Sequence, residues 1–181
     1  RACTENTCVP LISHLKNWAE TVNTSPIFWL SGMAGTGKST VAYTLCKHWQ
    51  KAGCLGASFF CSRDDEKARS LISVIPTIDQ QLLLCSKPFA HSLGEVPIDI
   101  VIPAPAQHVE ELLVQPWSIA IASQNEEQLQ TKALVVVIDA LDEIENHQGS
   151  GLIKQLIQAV STSKALHGLK FFVTSRPQSG I

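Results

Sequence analysis

The sequence predicts an α/β fold in which helices cover both faces of a mainly parallel β-sheet. Short apolar runs bounded by turn residues predict four buried strands, over 27–30, 55–61, 134–138 and 169–173. Amphipathic stretches lie between these runs, and strands that alternate with helices are typical of a parallel sheet. The run 134–138 is continuously apolar rather than alternating. Such a run is typical of a parallel strand that is covered on both faces.

Apolar residues at helical spacing place the helices between the strands. Leu11, Leu15 and Trp18 follow Pro10 on one face, which predicts a first helix over about 10–22. Further helices are predicted from the first loop to about Gly53, from about Ile75 to Leu84, over 109–114 and over 152–160. The stretch 86–108 stays without an assignment. Its apolar residues alternate over 96–102 as in a strand, whereas its prolines oppose a central strand.

Size and composition fit one domain and exclude several classes of protein. The chain has 181 residues, of which 45% are apolar and 17% charged, so it can bury a sizeable core and is not a disordered protein. No apolar run approaches the roughly 18–20 residues that span a bilayer. Fourteen basic and sixteen acidic residues give a net charge of −2. We therefore expect no direct nucleic-acid partner and no membrane association driven by charge.

The six cysteines predict reduced thiols rather than a disulfide framework or a zinc site. None of them forms a CxxC pair, and the chain is too large to need covalent staples. The six histidines are scattered, and none pairs with a cysteine at the spacing of zinc ligands. We expect a cytoplasmic location from this cysteine usage. The chain begins at Arg1 rather than Met, so we expect it to be a piece of a longer protein.

A glycine-rich loop after the first strand matches the pattern GxxxxGK[ST]. Its glycines allow successive backbone N–H groups to point at phosphate oxygens, and the helix that follows presents its positive end to the same anion. Lys38 is expected to bridge the β- and γ-phosphates, and the Ser39 hydroxyl to bind Mg²⁺. A chance match is the alternative, but the loop follows a strand and opens an amphipathic helix, as the motif requires. The candidate nucleotide-binding residues are Gly32, Met33, Ala34, Gly35, Thr36, Gly37, Lys38, Ser39 and Thr40.

Three carboxylates follow the third strand. Asp139 ends the apolar run 134–138, and a carboxylate there lies at the ligand-binding edge of an open parallel sheet. We expect Asp139 to hold Mg²⁺ beside Ser39. Glu143, or alternatively Asp142, could orient the attacking water as a general base. The other interpretation of Asp142 and Glu143 is that they are acidic residues at the start of the next helix.

An arginine follows the last predicted strand. Arg176 would reach the same edge of the sheet, where its guanidinium could contact the γ-phosphate and stabilise charge in the transition state. The alternative is a surface arginine in a plain turn before Pro177. Arg63 follows the second strand in a similar way, and a structural or surface role is favoured for it.

These segments together resemble the NACHT-type signal-transduction NTPases of the STAND class, and within them the NLR-like proteins of filamentous fungi. They are also similar to the nephrocystin-3-like N-terminal NTPase module. The resemblance implies a P-loop NTPase fold, a three-layer αβα sandwich, with Asp139 in the acidic metal-site motif and Arg176 in the sensor position. It also implies that the strands lie in the order second, third, fourth, first. The matching segments are 27–40, 55–60, 137–143 and 171–177.

The resemblance also implies a function and a division of the chain. It implies an N-terminal arm and helix over 1–24 and a nucleotide-binding domain over 25–181, truncated after the fourth core strand and without the family's helical, winged-helix and repeat regions. Family members bind ATP or GTP with Mg²⁺ and act as slow-hydrolysing switches that self-associate, in fungi in non-self recognition or cell death. A module that binds nucleotide with negligible hydrolysis is the alternative. A metabolic kinase is not favoured, because the chain has only four arginines and no arginine-rich lid.

Overall fold

The computed structural model describes residues 8–21, 24–94, 107–124, 133–162 and 166–177. Helices and strands alternate over most of this length, as predicted. In chain order the elements are α1 (Val9–Glu20), β1 (Ile27–Ser31), α2 (Lys38–Lys51), β2 (Leu55–Phe60), α3 (Leu71–Cys85), α4 (Lys87–Gly94), a π-helix (Val109–Val114), α5 (Gln115–Ala122), β3 (Leu134–Asp139), two 3₁₀ turns (Leu141–Glu143 and Glu145–His147), α6 (Gly149–Thr162) and β4 (Leu169–Ser175).

The four strands form one sheet in the order β1-β4-β3-β2, and every neighbouring pair is parallel. This is the order that the resemblance implied, and the prediction of an α/β fold with a parallel sheet is confirmed. Because the strands are parallel, their carboxyl ends meet at one edge of the sheet. The residues that end the strands there are Ser31, Phe60, Asp139 and Ser175.

Two apolar cores cover the two faces of the sheet. Val135 and Val137 of β3 point into a core shared with α1 and α2, where Trp18 and Trp49 meet edge to face. The alternate residues Val136 and Ile138 point into the core formed with α3, the π-helix, α5 and α6. Strand β3 is therefore buried on both faces, which explains its continuously apolar sequence.

Helix α3 also covers the free edge of β2. The Gln81 amide donates from Nε2 to the Ser58 carbonyl and accepts from the Ser58 N–H at Oε1, each at 2.9 Å. These bonds satisfy backbone groups that an edge strand otherwise leaves unpaired. A Cβ added at Gly56 would lie 2.9 Å from Cδ2 of Leu82 and 3.1 Å from Cβ of Leu134, so α3 and β3 both approach β2 closely at this residue.

Three local features differ from the sequence predictions. Helix α3 begins at Leu71 rather than near Ile75 and includes Pro76, because its upstream residues Leu71 and Val74 continue the apolar face that packs on the sheet. Helix α4 was not predicted, and the helix predicted over 109–114 is a π-helix followed directly by α5. The alternating stretch 96–102 lies outside the described residues.

A buried lysine fixes the carboxyl end of α1 to the sheet. The Lys170 ammonium on β4 donates to the carbonyl of Trp18, to the carbonyl of Thr21 and to Oγ1 of Thr24. The last carbonyls of a helix have no partner within the helix, so this cation satisfies them. In the part of the chain that the structure describes, no helix combines the length and the apolar character needed to cross a membrane.

Candidate functional site

The glycine-rich loop joins β1 to α2 through two left-handed residues. Gly35 has φ +78° and Gly37 has φ +85°, a conformation that side chains other than glycine rarely adopt. Gly37 is the N-cap of α2, and its carbonyl accepts the first helical hydrogen bond from Val41 N–H at 2.9 Å. The first N–H groups of α2 have no partner inside the helix and face the loop, which is a favourable arrangement for an anion.

Lys38 lies across this loop. Its Nζ donates to the carbonyl of Gly32 at 2.6 Å and to the carbonyl of Met33 at 2.9 Å. The Thr36 hydroxyl donates to the same Met33 carbonyl at 2.9 Å. A Cβ added at Gly32 would lie 3.1 Å from Thr36 Oγ1, so the loop closes tightly on itself. The ammonium group is thus held within the loop that the motif assigns to phosphate.

Asp139 is buried at the carboxyl end of β3 and is fixed by β4. Its Oδ1 accepts from the Thr174 hydroxyl at 2.5 Å, and the same hydroxyl oxygen accepts from the N–H of Ala140 at 2.9 Å. Ala140 has a left-handed backbone, with φ 55°, so the chain turns sharply after the carboxylate. Thr174 therefore sets both the orientation of Asp139 and the path of the loop that follows it.

Arg176 pairs with both of the other acidic residues. Asp142 accepts from the Arg176 backbone N–H at 2.9 Å through Oδ1, and its Oδ2 lies 3.1 Å from Arg176 Nε. Glu143 Oε1 lies 3.8 Å from a terminal nitrogen of Arg176, and Glu143 Oε2 accepts from the backbone N–H of Arg63 at 3.3 Å. The ends of β2, β3 and β4 thus meet in one charged cluster.

The phosphate loop is tied to this cluster through Ser175. The N–H of Gly32 donates to the Ser175 carbonyl at 3.2 Å, and Trp29 Nε1 donates to Ser175 Oγ at 2.9 Å. The structure brings all the predicted site segments to one edge of the sheet, with Lys38 on the side of β1 and Asp139, Asp142, Glu143 and Arg176 beside it.

Two buried thiols lie near Asp139. Burial, and secondarily the charge of Asp139, raises the pKa of the Cys46 thiol to about 12. The same two causes, with smaller contributions from Glu143 and Asp142, raise the pKa of Cys61 to about 12. A thiol with so high a pKa is a poor nucleophile at neutral pH. The cysteines that the structure describes form no disulfide, and they are Cys8, Cys46, Cys54, Cys61 and Cys85.

The donor set fits a metal that is shared with a ligand. Among the described residues, no group of three or more His, Cys, Asp or Glu side chains could hold a metal ion alone. Mg²⁺ at nucleotide sites instead takes one or two protein oxygens together with phosphate oxygens and water. The carboxylate of Asp139 and the hydroxyl of Ser39 are oxygen donors of this kind.

Sequence reasoning missed Thr174 and Ser175 as residues of the site. Both are buried, and their partners lie on neighbouring strands rather than nearby in the sequence. The available signal was a pair of hydroxyl residues between the apolar run of β4 and Arg176. Such a pair at the end of a buried strand indicates hydrogen bonding to the adjacent strand end.

Comparison with known proteins identifies the family. No curated protein and no solved structure matched the chain. The family model described as "Nephrocystin 3, N-terminal" matches residues 6–176, which include the four strands that the structure describes and all the residues of the site. The chain therefore belongs to the nephrocystin-3 N-terminal family.

Proposed function

We propose that the chain is the nucleotide-binding module of a signal-transduction NTPase. The observation that carries this proposal is the meeting of a glycine loop, its lysine and a buried strand-end carboxylate at one edge of a parallel sheet. This edge is where open α/β sheets bind their ligands. In this proposal the domain over 25–181 binds ATP or GTP with Mg²⁺.

Different residues of the site bind the phosphates and the metal ion. The backbone of 32–37 and the first turn of α2 bind the phosphates, and Lys38 exchanges its two carbonyl partners for β- and γ-phosphate oxygens. Ser39 and Asp139 hold Mg²⁺, which when bound neutralises charge on the phosphates. Thr174 keeps the Asp139 carboxylate in place through its 2.5 Å hydrogen bond. Thr40 supplies a further hydroxyl at the start of α2.

Glu143 and Arg176 would carry the hydrolytic step. Glu143 would orient the attacking water, and the Arg176 guanidinium would stabilise charge on the γ-phosphate. Their side chains are partly exposed at the sheet edge, at 26% and 44%, so both can meet a ligand there. The resemblance to NACHT-type NTPases extends the proposal to a cytoplasmic, slow-hydrolysing switch that self-associates in its full-length form, in a fungal non-self recognition or cell-death pathway.

A second candidate is a module that binds nucleotide without significant hydrolysis. The observation that favours it is the pairing of Arg176 with Asp142 and Glu143, at 3.1 and 3.8 Å. Glu143, the proposed general base, faces the guanidinium and must turn away from it before it can orient the attacking water. Release of inorganic phosphate from Mg·ATP or Mg·GTP by the chain distinguishes a hydrolysing module from one that only binds.

The test is a titration of the chain with fluorescent ATP and GTP analogues, with and without Mg²⁺. We expect a Kd of about micromolar order with Mg²⁺. Lys38→Ala should weaken binding by ~100-fold or more, because it removes the cation from the phosphate site. Lys51→Ala is the matched control, since Lys51 is an exposed lysine at the other end of the same helix. Equal affinity of the Lys38 variant and the wild type would contradict the proposal.

A further inference from the structure

One carboxylate holds Arg176 at two points. Asp142 Oδ1 accepts the backbone N–H of Arg176, and Asp142 Oδ2 pairs with Nε of the same residue. The two side chains differ in exposure, at 6% for Asp142 and 44% for Arg176. The inner edge of the guanidinium is thus fixed to a buried carboxylate, whereas its outer part is accessible.

The contact leaves the outer end of the guanidinium available. The group carries five N–H donors, and Asp142 contacts it only at Nε, through an ion pair at 3.1 Å in which Oδ2 accepts no hydrogen bond. The distance of 3.8 Å from a terminal nitrogen to Glu143 is too long for a hydrogen bond. Two terminal nitrogens can therefore still donate to a ligand. A planar guanidinium fixed at one edge presents them in a defined direction.

Hydrogen bonds through Ser175 connect the segment that carries Arg176 to the phosphate loop. Ser175 Oγ donates to the Arg176 carbonyl at 2.9 Å and accepts from Trp29 of β1. The Ser175 carbonyl accepts from Gly32 at the start of the loop. A phosphate chain in the loop and the guanidinium of Arg176 are therefore positioned by the same few hydrogen bonds.

We propose that Asp142 is a positioning residue that aims Arg176 at the third phosphate, and so makes the site prefer a nucleoside triphosphate over a diphosphate. This inference rests on the proposed function and deepens it. It favours Glu143 over Asp142 as the general base, because Oδ1 of Asp142 accepts the backbone N–H of Arg176 and Oδ2 forms an ion pair with Nε of the same residue. In this proposal Arg176 contacts the third phosphate, which a diphosphate lacks. A change in the orientation of the guanidinium therefore weakens binding of the triphosphate alone.

The test compares Mg·ATP with Mg·ADP, or the guanine pair if the chain prefers it, in the wild type and in Asp142→Asn. The asparagine carbonyl can still accept the backbone N–H, but its amide cannot pair with Nε. We expect the triphosphate Kd to rise about tenfold and the diphosphate Kd to change by less than about twofold. Glu145→Gln is the matched control, because it removes a nearby carboxylate that pairs with Arg69 at 3.6 Å rather than with Arg176.

A double variant separates positioning from a purely structural role. If Asp142 acts through Arg176, Asp142→Asn should have no further effect on triphosphate preference in an Arg176→Ala background. Equal weakening of both nucleotides by Asp142→Asn, or additive effects in the double variant, would overturn the inference and leave the proposed function intact. Failure of the wild type to bind any of the four nucleotides would overturn both.

Discussion

The sheet and helix α3 both bury a charged residue, and they do so in opposite ways. In the sheet, Lys170 has three oxygen partners at the end of α1, and Asp139 has the Thr174 hydroxyl. On α3, Asp79 is equally buried, yet its Oδ1 has no hydrogen-bond partner among the described residues. Burial raises the pKa of Asp79 from 3.8 to about 8. Fixed hydrogen-bond partners therefore satisfy the buried groups of the sheet, whereas the buried carboxyl group of Asp79 lacks them at Oδ1 and holds its proton more tightly.

The largest expected loss in the free energy of unfolding comes from replacing Lys170, the buried charged residue with three hydrogen-bond partners. Lys170→Met keeps the apolar stem of the side chain but leaves three oxygens at the end of α1 without their donor. Hydrogen bonds to charged groups contribute about 1.5–3 kcal/mol, so we expect a loss of about 3 kcal/mol in the free energy of unfolding. Urea denaturation followed by circular dichroism measures this loss.

The matched control for that change is Lys154→Met, at an exposed lysine on α6. Surface substitutions of this kind stay within about 0.5 kcal/mol. Similar denaturation midpoints for the two variants would show that Lys170 does not fix α1 to the sheet.

Asp79→Asn should raise the free energy of unfolding, in contrast to Lys170→Met, and the gain should depend on pH. Between pH about 4 and about 8 the folded chain holds a proton on Asp79 that the unfolded chain has released. The contribution of Asp79 to the stability of the wild type therefore decreases as pH rises through this window and stays constant above it. The asparagine variant lacks this loss, so at pH 9 it should be more stable than the wild type by about 2 kcal/mol.

Denaturation curves at pH 5 and pH 9 test this expectation. The difference between Asp79→Asn and the wild type should be small at pH 5 and large at pH 9. Asp64→Asn removes an exposed carboxylate and serves as the control, with no change in its difference from the wild type across the two pH values. A constant difference for Asp79→Asn would mean that its carboxyl is not the source of the pH dependence.

The sequence predicted what depends on local pattern and missed what depends on contacts between strands. The four strands and the phosphate loop follow from apolar runs and a spaced motif, and each signal lies within a few residues. Asp142 and Arg176 were both placed at the carboxyl edge of the sheet. Their pairing depends on β3 and β4 being neighbours, so the sequence could not decide between Asp142 and Glu143 as the base. Lys170 looked like one residue of an apolar run, because its partners at the end of α1 are distant in the chain.

Thr174→Val would leave the buried carboxyl group of Asp139 without its hydroxyl donor, as Oδ1 of Asp79 is without a partner. Valine has the shape of threonine but lacks the hydroxyl that donates to Asp139 and accepts from Ala140. We expect a loss of about 1–2 kcal/mol in the free energy of unfolding at pH 7, because a buried carboxylate and a backbone N–H lose their partner.

If Asp139 holds Mg²⁺, the magnesium concentration needed for nucleotide binding should also rise about tenfold, since a residue that orients a ligand affects metal affinity on that scale. Thr77→Val on α3 is the matched control. Denaturation and magnesium titration of both variants decide the outcome, and an unchanged magnesium requirement in Thr174→Val would separate Thr174 from the metal site while leaving its structural role in place.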